Sequence, residues 1–274
     1  MTDTVHIGDV PFGPSHFTTI AGPCAVESRE MALQTALAVQ AAGARVLRAG
    51  VFKPRSSPRS FQGLGTRALD ILHEVKATTG MPVVTELTDV RRLEEVADIA
   101  DAVQVGARNM HNYALLTELG RTELPVLLKR GLSATVDELL LAAEYVLCEG
   151  NERVILCERG IRTFESAYRF TLDVAAVAVL HERTHLPVVV DPSHAAGRRA
   201  LVLPLSLAAV AVGADGLLVE VHPAPHLALC DGDQALRTDE FAAYQRQVQR
   251  LGAFIRGCEA EVDGLVPETE LESA

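Results

Sequence analysis

The chain has 274 residues, 48% of them hydrophobic, and a formal net charge of −11, a composition that predicts a globular protein with a sizeable core. The negative charge argues against a general binder of nucleic acids or anionic membranes. No apolar run approaches the ~20 residues of a membrane span, and the opening residues MTDTVHIGDV lack the pattern of a signal peptide. Five scattered cysteines are not a disulfide framework, so we expect a cytoplasmic protein.

Short apolar strands alternate with helical segments along almost the whole chain. Residues 5–13 alternate and turn at Gly8-Asp9, which predicts a β-hairpin. Ser28 is a candidate N-cap for a helix over residues 29–42, and Thr135 with Glu138 predicts a capping box. Eight strands are predicted, at residues 16–20, 46–48, 82–86, 102–105, 125–128, 154–157, 188–190 and 216–219.

This alternation predicts an α/β fold, a single (β/α)₈ TIM barrel with a short N-terminal β-hairpin. The glycine pattern of a dinucleotide-binding fold is absent after the first strand. We expect the hairpin extension in residues 1–15, the catalytic barrel in residues 16–258 and a frayed tail in residues 259–274.

The carboxyl ends of barrel strands form the active face of such a fold, and cations follow many of these strands. A single one of them is explained equally well as a surface charge. Six like charges on one face of an acidic protein instead indicate an anionic ligand, and phosphate and carboxylate both suit arginine's fork. These residues are Arg48, Lys53, Arg55, Arg108, Lys129 and Arg159.

A second group of strand-end residues has the chemistry of metal ligands. It comprises Cys24, His194, Glu220 and Asp231, with His222 nearby. Thiolate, imidazole and carboxylate together suit a divalent transition metal. The residues alone leave another interpretation open, in which Cys24 is a small buried hydrophobe and His194 a hydrogen-bonded core histidine. Taken with the cations, the pattern predicts a metal-assisted enzyme acting on phosphorylated, carboxylate-bearing small molecules.

Seven motifs in order resemble a known enzyme family: AGPCAVES, KPRSSPRSFQGLG, QVGARNM, LLKRG, ILCERGIRTFE, VVDPSHAAGRR and VEVHPAP. The chain resembles the 3-deoxy-D-arabino-heptulosonate 7-phosphate (DAHP) synthases of the short microbial class, which are related to the 3-deoxy-octulosonate 8-phosphate synthases. The likeness covers about residues 5–250. It implies condensation of phosphoenolpyruvate with erythrose 4-phosphate, the first step of the shikimate pathway to the aromatic amino acids, on a TIM barrel. It also implies a homotetramer, whereas the expectation of no nucleic-acid or membrane partner comes from the negative net charge.

Carried over motif by motif, the resemblance assigns roles to individual residues. The metal ligands are Cys24, His194, Glu220 and Asp231, holding Mn, Fe, Co or Zn. Phosphoenolpyruvate is expected against Arg48, Lys53, Ala107, Arg108, Lys129 and Arg159. The turn Lys53-Pro54-Arg55-Ser56 is expected to take the aldose phosphate. The expected catalytic residues are Lys129, as a proton donor, with His194 and Cys24.

The chain departs from the family pattern at a few positions. The usual KPRTSPYSFQG carries Ser56 and Arg59 here, and the usual ETYTRNTLDLSAVPVL differs most visibly at Phe170 and Ala178. Cys230 stands where a serine is expected. Two alternatives therefore remain open: a related condensation on another phosphorylated aldose, or a catalytically silent sugar-phosphate binding barrel. The four predicted metal ligands are all present, which argues against a catalytically silent protein.

Overall fold

The first element is the predicted hairpin, formed by β1 (Val5–Ile7) and β2 (Val10–Phe12). The structure, a computed structural model, describes residues 3–14, 16–55 and 57–263, with side chains through residue 257. The apolar side chains of the hairpin pack against the inward-facing residues of the barrel strands. Thr18, at the start of the first barrel strand, donates a hydrogen bond to the Pro11 carbonyl at 3.0 Å. The hairpin therefore closes the amino-terminal end of the barrel and leaves the carboxyl end open.

Eight parallel strands form the predicted barrel, so the fold prediction is confirmed. They are β3 (Thr18–Gly22), β4 (Val46–Arg48), β5 (Val83–Glu86), β6 (Ala102–Val105), β7 (Val126–Lys129), β8 (Val154–Glu158), β9 (Val188–Val190) and β10 (Gly216–His222). Each strand pairs with its neighbour in the chain, and β10 also pairs with β3, which closes the sheet. Almost every strand residue is buried, as expected for strands covered on both faces.

Helices surround the barrel and cover the outer face of its strands. They are α1 (Arg29–Ala41), α2 (Thr66–Thr79), α3 (Leu93–Ala97), α4 (Tyr113–Gly120), α5 (Val136–Leu147), α6 (Val174–Arg183), α7 (Pro192–Ala196), α8 (Arg199–Ala211) and α9 (Thr238–Asp263). The Ser28 side chain accepts from the Met31 N–H, and the Thr135–Glu138 capping box forms, as predicted. Among the described residues, no helix combines the length and apolarity needed to cross a bilayer.

Three further elements complete the fold. The residues after β9 form the short helix α7, because Asp191 caps it and Pro192 occupies its first turn. The last helix, α9, ends at Asp263. A two-residue strand, β11 (Leu236–Arg237), pairs with the end of β10 and precedes this helix.

Candidate active site

A polar pocket of about 290 Å³ opens at the carboxyl ends of the barrel strands. Ten of the residues expected from the sequence line it: Arg48, Lys53, Pro54, Arg55, Ala107, Arg108, Lys129, Arg159, His194 and Asp231. The strand register explains this convergence, because parallel strands bring their carboxyl ends to one edge. Ser56 lies outside the described residues. Arg59 is exposed and does not line the pocket.

The four predicted metal ligands come together beside this pocket. One ligand atom from each of Cys24, His194, Glu220 and Asp231 lies within 4.8 Å of every other. Two ligands bound to one transition-metal ion at ~2.0–2.4 Å are separated by at most about 4.8 Å, so the spacing suits a single ion. The strand neighbours β3, β9 and β10 supply three of the ligands at or just beyond their ends, and the loop before β11 supplies Asp231.

Asp191 orients the imidazole of His194. One carboxylate oxygen of Asp191 accepts from the His194 backbone N–H at 2.9 Å, and the other faces Nδ1 at 2.7 Å. Because a carboxylate only accepts, we assign the imidazole proton to Nδ1, which leaves a lone pair on Nε2. Burial lowers the pKa of His194 to about 4, so the ring is neutral at pH 7, the form that binds a metal.

The Nε2 atom of His194, which carries this lone pair, faces other acceptors. Nε2 lies 3.4 Å from Glu220 Oε1 and 3.9 Å from Asp231 Oδ2. Glu220 Oε1 is buried and accepts no hydrogen bond from the described residues, although it lies 3.3 Å from Arg48 Nη2, whereas Oε2 accepts from Gln234 Nε2 at 2.6 Å. Buried acceptors that face one another are costly unless a cation lies among them. The donor set therefore fits a divalent metal ion.

Charges around the cluster keep its carboxylates ionised. Burial favours the protonated form of Asp231, but the charge of Lys53 holds its pKa far below the usual range. Burial likewise opposes ionisation of Glu220, and the charge of Arg48 helps to lower its pKa nevertheless. Burial raises the pKa of the Cys24 thiol well above its ordinary value, so a bound metal must displace that proton. Asp231 also has a φ of 51°, a left-handed conformation that aims its carboxylate at Lys53.

The pocket cations differ in how they are neutralised. Arg48 pairs with Glu220 at 3.3 Å and Lys53 with Asp231 at 2.9 Å. Lys129 pairs with Asp191, and both side chains are buried. In the part of the chain that the structure describes, Arg108 and Arg159 have no carboxylate within 4 Å. Nε and Nη1 of Arg48 are buried and have no hydrogen-bond partner within the described part of the chain, so the pocket presents donors to an anion.

Sequence reasoning missed several residues of the pocket wall. Glu86 and Gln104 line it from β5 and β6, and Arg169 and Phe170 line it from the loop after β8. Glu86 is the last residue of β5. The residues predicted from the sequence were chosen because they lie at the carboxyl ends of strands, so the same criterion could have identified Glu86. Burial raises the pKa of Glu86, although Lys53 and Lys129 act in the opposite direction. The loop residues follow no strand end, and nothing in their spacing marks them.

Comparison with known proteins assigns the family. A profile described as the DAHP synthetase I family matches residues 4–256. The chain belongs to this family. It is 52% identical to the phospho-2-dehydro-3-deoxyheptonate aldolase of Thermotoga maritima, over 91% of this chain and 74% of that protein. It is 34% identical to a 2-dehydro-3-deoxyphosphooctonate aldolase of Syntrophotalea carbinolica, over 94% of this chain and 99% of that protein.

Solved structures of the DAHP synthetase I family agree with this assignment. The crystal structure of the Thermotoga DAHP synthase matches with a TM-score of 0.90 and 50% identity, covering 93% of this chain and 75% of that one. A truncated form of the Thermotoga enzyme matches with a TM-score of 0.87 and 47% identity, and the match covers 93% of this chain and 94% of that one. The resemblance read from the seven motifs is therefore confirmed. The heptonate relative is also the more similar of the two kinds of aldolase compared.

Proposed function

We propose that the chain is a DAHP synthase. It condenses phosphoenolpyruvate with erythrose 4-phosphate and water to give 3-deoxy-D-arabino-heptulosonate 7-phosphate and inorganic phosphate, the first step of the shikimate pathway. The observation that carries the proposal is the adjacency of two groups. His194 and Asp231 of the ligand cluster line the same pocket as Arg108 and Arg159, which have no carboxylate partner among the described residues. An anionic substrate in this pocket lies directly beside the ligand cluster.

Cys24, His194, Glu220 and Asp231 would hold one divalent ion, namely Mn, Fe, Co or Zn, since their spacing and chemistry do not choose among these. When bound, the ion supplies Lewis-acid polarisation of the aldehyde of the aldose. Asp191 fixes the orientation of the His194 ring, and Gln234 fixes one oxygen of Glu220. Such hydrogen bonds to ligands hold them in the geometry that binding requires.

Phosphoenolpyruvate has a phosphate and a carboxylate, and the pocket offers donors for both. Arg108 and Arg159 are free of carboxylate partners among the described residues, so they bind an anion without first breaking an ion pair. Arg48 is 5% exposed, and two of its guanidinium nitrogens have no hydrogen-bond partner among the residues that the structure describes. Charge-assisted hydrogen bonds from guanidinium groups are stronger than neutral ones. We assign Arg48, Arg108 and Arg159, with Lys129 and the backbone beside Ala107, to this substrate.

The turn that contains Lys53, Pro54 and Arg55 also lines the pocket, and we assign it to the aldose phosphate. In the reaction, the terminal enol carbon of phosphoenolpyruvate forms a bond to the aldehyde carbon, and the aldehyde oxygen takes up a proton. Lys129 holds a proton in the pocket and is anchored by Asp191, so we assign it as the donor. Water then adds at the carbon that carried the phosphate, and the phosphate leaves with its bridging oxygen.

The test is a phosphate-release assay on the full chain, before and after chelation. We expect release from phosphoenolpyruvate only when an aldose phosphate is present, loss of release in chelator-treated protein, and recovery on adding Mn²⁺ or another divalent ion. Full activity in protein shown to contain no metal would contradict the metal assignment. No release with any aldose phosphate would instead support the silent binding barrel. The homotetramer expected from the resemblance is tested separately by gel filtration.

A further inference from the structure

Phe170 is the one large aromatic side chain that lines the pocket within the described residues. It lies in the loop between β8 and α6, where its backbone N–H donates to the Ala195 carbonyl at 3.0 Å. The neighbouring Thr171 forms an antiparallel bridge with Ile161 at the other end of the loop. Gly160 has a φ of 85°, and a Cβ there would come within 2.8 Å of Phe170 Cβ. The backbone thus holds the ring close to the end of β8.

Arg159, directly after β8, has few groups to orient it. It is 4% exposed, and its Nη1 makes a long contact of 3.4 Å with the Gly160 carbonyl. Its Cζ lies 4.2 Å from the centroid of the Phe170 ring, which is a close cation–π geometry. Arg169 lies 5.6 Å from the same ring and also bonds to Gln234 at 2.9 Å. The ring therefore contacts a guanidinium on the pocket wall without neutralising it.

An aromatic face and a carboxylate orient an arginine in different ways. A carboxylate occupies the N–H edge of the guanidinium and competes with an anionic substrate for it. An aromatic ring stacks on the face of the group and leaves its N–H donors available. In this pocket a carboxylate orients Arg48 and Lys129, which pair with Glu220 and Asp191 respectively.

We propose that Phe170 is a positioning residue for phosphoenolpyruvate, acting through the face of the Arg159 guanidinium. The inference rests on the proposed function, because it takes phosphoenolpyruvate as the anion bound by Arg159. The competing explanation is that Phe170 only fills space in the pocket wall. In that case its π-electrons are irrelevant and any apolar side chain of similar size serves.

The experiment is isothermal titration calorimetry of the full chain with phosphoenolpyruvate in the presence of Mn²⁺, together with steady-state kinetics. Phe170→Leu keeps an apolar side chain and removes the ring, whereas Phe170→Tyr keeps the ring. Phe17→Leu is the matched control, because Arg256 lies 5.5 Å from the Phe17 ring at the opposite end of the barrel. Circular dichroism verifies that each variant is folded.

We expect Phe170→Leu to raise the Kd and KM for phosphoenolpyruvate about tenfold, with the KM for erythrose 4-phosphate and kcat changed by less than about threefold. Phe170→Tyr and Phe17→Leu should stay within about twofold of the wild type. Wild-type affinity in Phe170→Leu, or an equal loss in Phe170→Tyr, overturns the inference and leaves the proposed function intact. A wild-type protein that neither binds phosphoenolpyruvate nor releases phosphate overturns both.

Discussion

The buried ion-pair network around Arg130 offers a quantitative test of the fold beneath the site. Arg130 is 4% exposed, and its Nη1 lies 2.9 Å from Glu158 Oε2 and 2.9 Å from Asp173 Oδ2. Its Nε donates to the Ala134 carbonyl at 2.9 Å. The substitution Arg130→Met leaves the fully buried carboxylate of Glu158 without its cation. Removing one partner of a buried pair costs about 3–5 kcal/mol, so we expect the free energy of unfolding to fall by about 4 kcal/mol.

Two further variants separate this effect from a general loss of packing. In the wild-type chain, Glu158 Oε1 accepts from the Gly160 N–H at 2.6 Å. The double variant Arg130→Met/Glu158→Gln removes the isolated charge, and the glutamine amide oxygen still accepts this hydrogen bond. We therefore expect the double variant to regain about half of the lost stability. Arg121→Met is the surface control: the Arg121 side chain is 55% exposed in its pairs with Glu118 and Glu149, so its loss should leave the free energy of unfolding nearly unchanged. Urea denaturation provides the measurement, and a loss below about 1 kcal/mol in Arg130→Met refutes the reasoning.

Three other predictions concern the site. Cys24→Ala should lower metal affinity, measured by calorimetry, at least about tenfold while the circular dichroism spectrum stays unchanged, and unaltered affinity contradicts the ligand assignment. Cys230 lies against Cys24, so hydrogen peroxide should oxidise the two thiols to a disulfide in chelated protein, with water as the reduced product. Inactivation should then be slower in Cys230→Ser, and an equal rate excludes the disulfide. Arg59→Tyr should change the KM for the aldose by less than about twofold because Arg59 is exposed outside the pocket, and a tenfold rise places it on the substrate.

Strand ends were the most informative feature of the sequence. A run such as Val188–Val190 is apolar throughout because it is covered on both faces, and its end is therefore visible as an abrupt change of composition. In a parallel barrel all such ends meet at one rim. This is why Arg48, Lys129 and His194 could be brought together without any knowledge of contacts. The same rule applied to β5 identifies Glu86 as well.

Loop residues were less accessible to this reasoning. Arg169 and Phe170 reach the pocket only because the loop after β8 folds back, with the backbone of Phe170 bonded to that of Ala195. Gln234 contacts Glu220 through a turn whose shape depends on Asp231 in a left-handed conformation. Long-range contacts of this kind have no periodicity in the sequence. Asp231 itself was predicted among the candidate metal ligands, and the structure supplied its neighbours.

The central claim is that this chain joins a three-carbon enol phosphate to a four-carbon aldose phosphate. The most direct measurement offers the enzyme phosphoenolpyruvate with equal concentrations of erythrose 4-phosphate and a five-carbon aldose phosphate, and identifies the products by mass spectrometry. Pro54 and Arg55 retain the heptulosonate pattern in the turn that lines the pocket. We therefore predict that the seven-carbon 3-deoxy-heptulosonate phosphate is the dominant product. An eight-carbon acid phosphate formed in equal or greater amount would contradict the account.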